Sequence, residues 1–407
     1  MTDGTRSPDI LIVGGGLIGC AAAWHLRRHG LDVVLAEQRH INAGASGQNA
    51  GSLHFQIERR FLEQGERQAR DAARIVNLNR LAITEWADLE EQLGRPLDIA
   101  MHGGIMVAET AAELDLLARK TALENELGLP TEMLNQAQLR ERAPCLSDQL
   151  VGAAWLGDEG HANPRILSAA YAQEAADLGA RILTGTAVRK LVPLKGKDGA
   201  RAYCAHLSGP DGETTVTAGR VLLATGHWSA SLATTLGINI PLYPAPLMMS
   251  VTDRTSQRLP FLIQHVGQRL SMKQTEDGNF LVGGGWPSLL AHGADGRPDF
   301  ETPPTLDMAG LRANLAVAAR VMPELARRSL IRSWTGTTCI SADHMPIVGE
   351  VLPARGLYVA AGGSMFTLGP LLARLLSDMI ATGTQPEELA MFTPDRFVHL
   401  NAFSVMP

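Results

Sequence analysis

The chain has 407 residues, 45% of them hydrophobic and 19% charged, with a formal net charge of −6. That is the composition of a globular protein long enough for two domains, and no basic run exceeds the pairs Arg27-Arg28, Arg59-Arg60 and Arg327-Arg328, so nucleic acid is not expected as a main partner. The four cysteines, Cys20, Cys145, Cys204 and Cys339, form no CxC or CxxC pair; a disulfide framework, a metal site and an in-chain iron–sulfur cluster are not expected, and a reducing cytoplasm fits.

Residues 10–24 are apolar, but they carry Gly14, Gly15, Gly16 and Gly19 and lack a basic leader or a cleavage site. The run is also short of the roughly 20 residues that span a bilayer, so neither export nor a membrane span is expected. It reads as strand, turn, helix and strand. The first strand covers 10–13, the helix 17–29 closes at Gly30, and the second strand 32–36 ends at Glu37.

Gly14, Gly16 and Gly19 have GxGxxG spacing. The first allows a tight turn, the second a close approach to a pyrophosphate, and the third packs the helix on the strand. The helix amides and dipole would face the phosphates. Glu37 lies 18 residues past Gly19, where a carboxylate accepts hydrogen bonds from an adenosine ribose. This unit fits NAD and FAD equally.

The next stretch, "GASGQNAGSLH" over 44–54, is small and polar. It reads either as a surface loop or as a segment whose amides, with Ser46 and Asn49, approach a large flat ligand. Helices are expected near 69–93 and 306–325. A strand is expected over 243–252, and a hairpin over 269–286 with its turn at Glu276-Asp277-Gly278-Asn279. Together these suggest an antiparallel sheet lining a substrate pocket. Near the C-terminus "LYVAAGG" is a strand ending in glycines, followed by a helix from about Leu368 with Pro370 in its first turn. Its positive end would suit an anion.

Several stretches carry a family resemblance. They are the N-terminal unit, the 44–54 loop, "GGIMVAET" (103–110), "DEGHANPRILSAAYAQEAADLGARILTGTAV" (158–188), "RVLLATGHWSA" (220–230), "WTGTTCISADHMPIVG" (334–349) and "LYVAAGGSMFTLGPLLARLLSDMI" (357–380). The chain resembles the D-amino acid oxidase, glycine oxidase and sarcosine oxidase superfamily of FAD-dependent amine oxidoreductases over most of its length.

The resemblance implies an α/β fold, with a Rossmann-type FAD-binding domain of doubly wound parallel sheet and an inserted antiparallel-sheet substrate domain. The FAD domain is expected over 1–95, 146–235 and 332–400, and the substrate domain over 96–145 and 236–331. Implied FAD contacts are Gly14, Gly16, Leu17, Ile18, Gly19, Glu37, Gln38, Ala45, Ser46, Asn49, Ala50, Gly51, Leu53, Val188, Thr225, Gly226, Trp228, Gly362, Gly363, Ser364, Phe366, Thr367 and Leu368. The 44–54 loop would then run along the flavin.

Two departures from the family pattern shape the expected chemistry. An arginine that binds the substrate carboxylate in simple amino acid oxidases falls at Thr338, and the covalent-flavin cysteine of monomeric sarcosine oxidases falls at Gly336 rather than Cys339. Noncovalent FAD is therefore expected, with a substrate other than a plain amino acid or a carboxylate held elsewhere. His54 and Lys273 are the replacement cations, against the plainer readings of a surface histidine and a solvated hairpin lysine. Arg332, His344 and Cys339 are read as structural.

Within the superfamily the chain looks most like the β subunits of opine and D-hydroxyproline dehydrogenases, on "ASGQNAGSLH", "SMKQTEDGNFLVGGGWP" and the arginine-free "WTGTT". That likeness implies oxidation of a carboxylate-bearing secondary amine and an α subunit carrying further redox centres. Two other readings stand beside it. One is a free-standing glycine, sarcosine or D-amino acid oxidase using O₂; the other is an assembly subunit whose FAD is structural.

Overall fold

The computed structural model describes residues 7–62, 70–71, 73–195, 201–256, 259–352 and 354–401. Contacts divide the chain into two units. The first is Met1–Gly47, Pro164–Ala245 and Thr338–Pro407, and the second is Gln48–Asn163 and Pro246–Thr337.

In the first unit the apolar strand Ile10–Val13 lies inside a six-stranded sheet. Its order is Ile347–Glu350, Leu357–Ala361, Arg220–Leu223, Ile10–Val13, Val33–Ala36 and Arg181–Leu183. All neighbours are parallel except the edge pair Ile347–Glu350 and Leu357–Ala361. A parallel strand covered on both faces is apolar at every position, and Ile10, Leu11, Ile12 and Val13 are all buried. One face receives the helix Leu17–Arg28, which packs against the helices Leu167–Asp177 and Gly369–Thr382. Leu11, Val13, Val221, Leu223 and Val359 join a second cluster with Leu191, Tyr203 and Ala205. Those three residues come from an antiparallel sheet of Gly212–Ala218, Arg201–Gly209 and Ala187–Lys195.

The second unit is built on an eight-stranded sheet. Its order is Leu330–Ser341, Leu242–Arg254, Asn279–Gly283, Ser271–Gln274, Leu262–His265, Gly104–Ala108, Gly152–Leu156 and Glu132–Asn135. The expected hairpin is present: Ser271–Gln274 pairs antiparallel with Asn279–Gly283. Its turn closes between Thr275 and Asn279, with Gly278 at φ +90°. The neighbouring expected strand is Leu242–Arg254, also antiparallel to Asn279–Gly283. The fold is thus α/β, with the parallel and antiparallel sheets the sequence implies. Alternation sends Met272, Phe280 and Val282 into a core with Val317, Ala318 and Val321 of helix Met308–Val321.

The expected helix near 69–93 is observed as Ile75–Ala87 and Leu89–Leu93; positions 69 and 72 of that expectation lie outside the described residues. The contacts draw the unit boundaries at other points than 1–95, 146–235 and 332–400. Residues 48–62 group with the second unit because Ser52–Leu53 pairs with Gly160–His161 and the amide of Phe55 donates to Glu159. Among the described residues no helix is long and apolar enough to cross a membrane.

Candidate functional site

In the first unit, three adjacent parallel strands, Leu357–Ala361, Arg220–Leu223 and Ile10–Val13, each run into a turn at the carboxyl end. Such ends are where open α/β sheets hold nucleotides. The turn after Ile10–Val13 needs its glycines. Gly14 sits at φ +109°, and a Cβ there would come 2.5 Å from the Ala224 carbonyl oxygen. A Cβ on Gly19 would strike the Gly14 carbonyl oxygen. Helix Leu17–Arg28 then starts at Gly16, which has no side chain to cap it.

Glu37 follows the neighbouring strand Val33–Ala36 and is half-buried. Its carboxylate accepts from Gly15 N at 2.7 Å and from Arg39 N at 2.8 Å. It therefore braces the glycine turn. Gln38, next in sequence, is half-buried, as is Val188 on strand Ala187–Lys195 of the three-stranded sheet. Ser46 is already engaged: its Oγ accepts from Leu17 N at 3.0 Å, and Ala45 is half-buried.

The second turn holds Thr225, Gly226 at φ +60° and Trp228, whose ring lies 3.8 Å from that of His227. Thr225 Oγ1 and Ser229 Oγ share a hydrogen bond at 3.0 Å. The third turn runs from Gly362 (φ +122°) through Gly363 and Ser364 (φ +56°) to Phe366, Thr367 and Leu368. It opens helix Gly369–Thr382, whose N-cap Leu368 also lacks a side-chain cap and whose first turn contains proline. Three glycine-containing turns, two helix N-termini without N-cap side-chain bonds and a carboxylate at the end of strand Val33–Ala36 lie within one unit. This set fits a dinucleotide, and Gly14 and Gly19 show that its backbone cannot tolerate side chains there. Cys339 is buried, its thiol pushed up to about 11 by that burial, and is set against the Gly362 carbonyl. That matches a structural thiol.

In the second unit, Asn49 Oδ1 accepts from Gly51 N at 2.6 Å, and Gly51 O accepts from Ala162 N at 2.9 Å. Ala50 is half-buried and Leu53 fully buried. Trp334 Nε1 donates to Gln48 O at 2.7 Å, with Arg332 stacked 5.0 Å from the Trp334 ring. A Cβ on Gly336 would come 2.6 Å from Gln48 Oε1.

His54 and Lys273 come together. His54 Nε2 shares a hydrogen bond with Ser271 Oγ at 2.9 Å, two residues from Lys273 on the same strand. Burial pulls the His54 pKa down to about 4, with Lys273 and Arg60 adding to the drop and Glu58 opposing it. The ring is therefore uncharged near neutral pH, which corrects the expectation that it serves as a cation. Lys273 is only 4% exposed, not a solvated hairpin lysine. Burial brings its ammonium down to about 7, and Asp98 is the acid that opposes the fall.

Sequence reasoning passed over the residues around this pair. His161, on the strand paired with Ser52–Leu53, has its pKa lowered to about 3 by burial, then by Lys273 and His102. A polar network fixes the segment after His54. Glu159 accepts from Phe55 N, Gln56 N and Gln56 Nε2 at 2.9–3.0 Å. Lys120 Nζ donates to Gln56 Oε1 at 2.9 Å and to Glu124 Oε2 at 2.8 Å, and Glu124 Oε1 accepts from Ile57 N at 2.6 Å. Asn79 Nδ2 donates to Phe55 O at 2.7 Å. Gly104 makes room for this, because a Cβ there would strike Glu159 Oε2. The only signal in the sequence was the i,i+4 spacing of Lys120 and Glu124, which on a helix ordinarily marks a solvated pair.

A family model described as DAO, FAD dependent oxidoreductase, matches residues 9–379. Glycine oxidase of Geobacillus kaustophilus (strain HTA426) is 26% identical, over 97% of this chain and 98% of that protein. One of the subunits of opine oxidase from Rhizobium meliloti is 25% identical, over 96% of this chain and 97% of that protein. The crystal structure of L-proline dehydrogenase from P. horikoshii superposes with a TM-score of 0.80 at 21% identity, covering 97% of this chain and 98% of that one. That likeness shows the fold.

Proposed function

Because the chain belongs to the DAO family of FAD dependent oxidoreductases and is an enzyme acting on amino-group donors, we propose that it is a dehydrogenase of secondary or cyclic amino acids. The substrate would be of opine or D-hydroxyproline type, oxidised at its C–N bond to an imine, with electrons passed to a partner subunit in the cytoplasm. The observation that carries this reading is Thr338 in place of a carboxylate-binding arginine; within the second unit, buried Lys273 and half-buried His54, Ser271 and His161 offer other polar groups for a substrate. Full-length similarity to a subunit of an opine oxidase supports it.

When bound, the flavin supplies the acceptor for the hydride that leaves the carbon beside nitrogen. The chain's own residues bind and orient. The turns at Gly14–Gly19, Thr225–Trp228 and Gly362–Leu368 would hold the cofactor, Glu37 its ribose, and Ala45, Ser46, Asn49, Ala50, Gly51 and Leu53 would run along its ring. His54 and Lys273 would meet the substrate, and the low exposure of Lys273 would help keep water from it.

FAD is proposed to be noncovalent, so acid precipitation should leave a yellow supernatant. Glu37→Ala should weaken FAD binding by about 1.5–3 kcal/mol, read by titrating apoprotein with FAD, since hydrogen bonds to a charged group are lost. The loosened Gly15 and Arg39 amides add to that loss.

Anaerobic bleaching of the flavin against opines, prolines and D-amino acids tests the substrate. Secondary amines should reduce it faster than glycine or D-alanine, and the reverse order would overturn the proposal. Co-purification with a second, redox-carrying polypeptide and weak activity with O₂ alone are expected. Similarity to glycine oxidase favours the second reading, a free-standing oxidase; rapid peroxide formation by the isolated chain would establish it. Bleaching by no amine, with or without a partner, would leave an assembly subunit with structural FAD.

A further inference from the structure

We propose that Lys273 is the general base of the reaction, taking a proton from the substrate's ammonium nitrogen before hydride departs. The inference rests on the amine-oxidoreductase reading above. An amino acid amine is protonated at neutral pH, and its nitrogen then has no lone pair to drive hydride loss. The site needs an uncharged acceptor. In the proposed step the N–H⁺ bond breaks, the proton joins the lone pair on Lys273 Nζ, and the freed substrate lone pair forms the C=N bond. The C–H electron pair leaves as hydride to the flavin, which is the two-electron oxidant.

The geometry singles out Lys273. Its side chain is 4% exposed, and its Nζ makes no hydrogen bond or ion pair among the described residues. An ammonium with no bonded anion, on a residue so little exposed, is costly, so burial lowers the pKa of the amine toward neutrality. The groups facing it are Asp98 from the segment before Gly104–Ala108, His161 from the strand paired with Ser52–Leu53, and His54. His102 lies next to His161. Asp98 alone favours the ammonium. His54 and His161 are both uncharged near neutral pH, and His54 is hydrogen-bonded to Ser271. Neither histidine is basic enough near pH 7 to hold the proton, whereas the lysine's amine, brought to about 7, is matched to the task.

The test is anaerobic flavin reduction by a secondary amino acid across pH, using the FAD-loaded full chain. In the wild type the rate should rise with an apparent pKa near 7. Lys273→Met should reduce the rate at pH 7 by roughly 10²–10⁴-fold, the usual worth of a general base, and the rate should recover only as the pH approaches the amine's own pKa. Lys273→Arg keeps a cation but not a base and should behave like Lys273→Met. Added ethylamine should partly restore Lys273→Ala. A wild-type profile in Lys273→Met, or full activity in Lys273→Arg, overturns the proposal and assigns the lysine to charge pairing.

A readout independent of turnover is the melting temperature. A lysine whose folded pKa is lowered costs stability below about 7, and that cost fades as the pH rises toward the ordinary value of 10.5. The wild type should gain on Lys273→Met over that interval, and a constant difference between them overturns the proposal. If no secondary amine reduces the wild type at any pH, the substrate reading fails with it; if the wild type is reduced and only the Lys273 arms disagree, the base assignment alone fails.

Discussion

Lys120→Met is expected to lower folding stability by about 3–5 kcal/mol, the cost of stranding one member of a buried ion pair. Lys120 and Glu124 are both fully buried, 2.8 Å apart on helix Ala111–Glu126. Without the ammonium, Glu124 keeps only the Ile57 amide, and Gln56 Oε1 loses its donor. Urea unfolding of the FAD-free chain measures the change. Lys120→Met with Glu124→Leu should recover part of it, because the stranded charge is gone while the Ile57 amide stays unpaired. A single-mutant cost below about 1 kcal/mol, the range of exposed pairs, would show that water reaches the pair.

The second large effect is a pH dependence from Glu159. Burial raises its carboxyl from 4.5 to about 7, against hydrogen bonds from Gln56 and Phe55 and the charge of Lys120. An acid whose folded pKa is raised binds its proton more tightly folded than unfolded. Its stabilisation is therefore fully present below pH 4.5 and is lost as the pH rises through 7. The loss by pH 8 is roughly 3 kcal/mol, at about 1.4 kcal/mol per pKa unit. Glu159→Gln removes the titration, so the wild type's unfolding free energy relative to the variant should fall by that amount between pH 4.5 and 8. An unchanging difference would mean that Glu159 does not titrate there. Glu159 also bonds the amides that follow His54 and directly precedes Gly160–His161. Its protonation state thus bears on where His54 and His161 stand.

Much of the nucleotide-binding unit was legible because its physics is local. GxGxxG spacing, a helix closed by a glycine and an acid at the end of the next strand are set by residues within about 30 positions. The structure places them as Ile10–Val13, Leu17–Arg28, Val33–Ala36 and Glu37. Hairpin Ser271–Gln274 with Asn279–Gly283 was equally readable, since its turn chemistry and alternation are contained in a dozen residues. Pattern against the family also had content: Thr338 and Gly336 are visible as departures without coordinates.

Ionisation was not legible. Lys273 looked like a solvated hairpin lysine, and nothing in the sequence marked Lys120 with Glu124 as a buried pair, because residue type and spacing do not report burial. Their environment comes from chain segments far apart in sequence. Glu159 lies about 100 residues from the amides it holds, and Ser271 lies 217 residues from His54. Residue order was enough for the family, the cofactor class and the strand–turn–helix units that carry it, because short-range backbone geometry encodes them. The folded arrangement was needed to say which side chains are charged, which carboxylates share a buried network and that Lys273 stands unpaired beside His54. Those properties depend on desolvation, and desolvation is set by the whole fold.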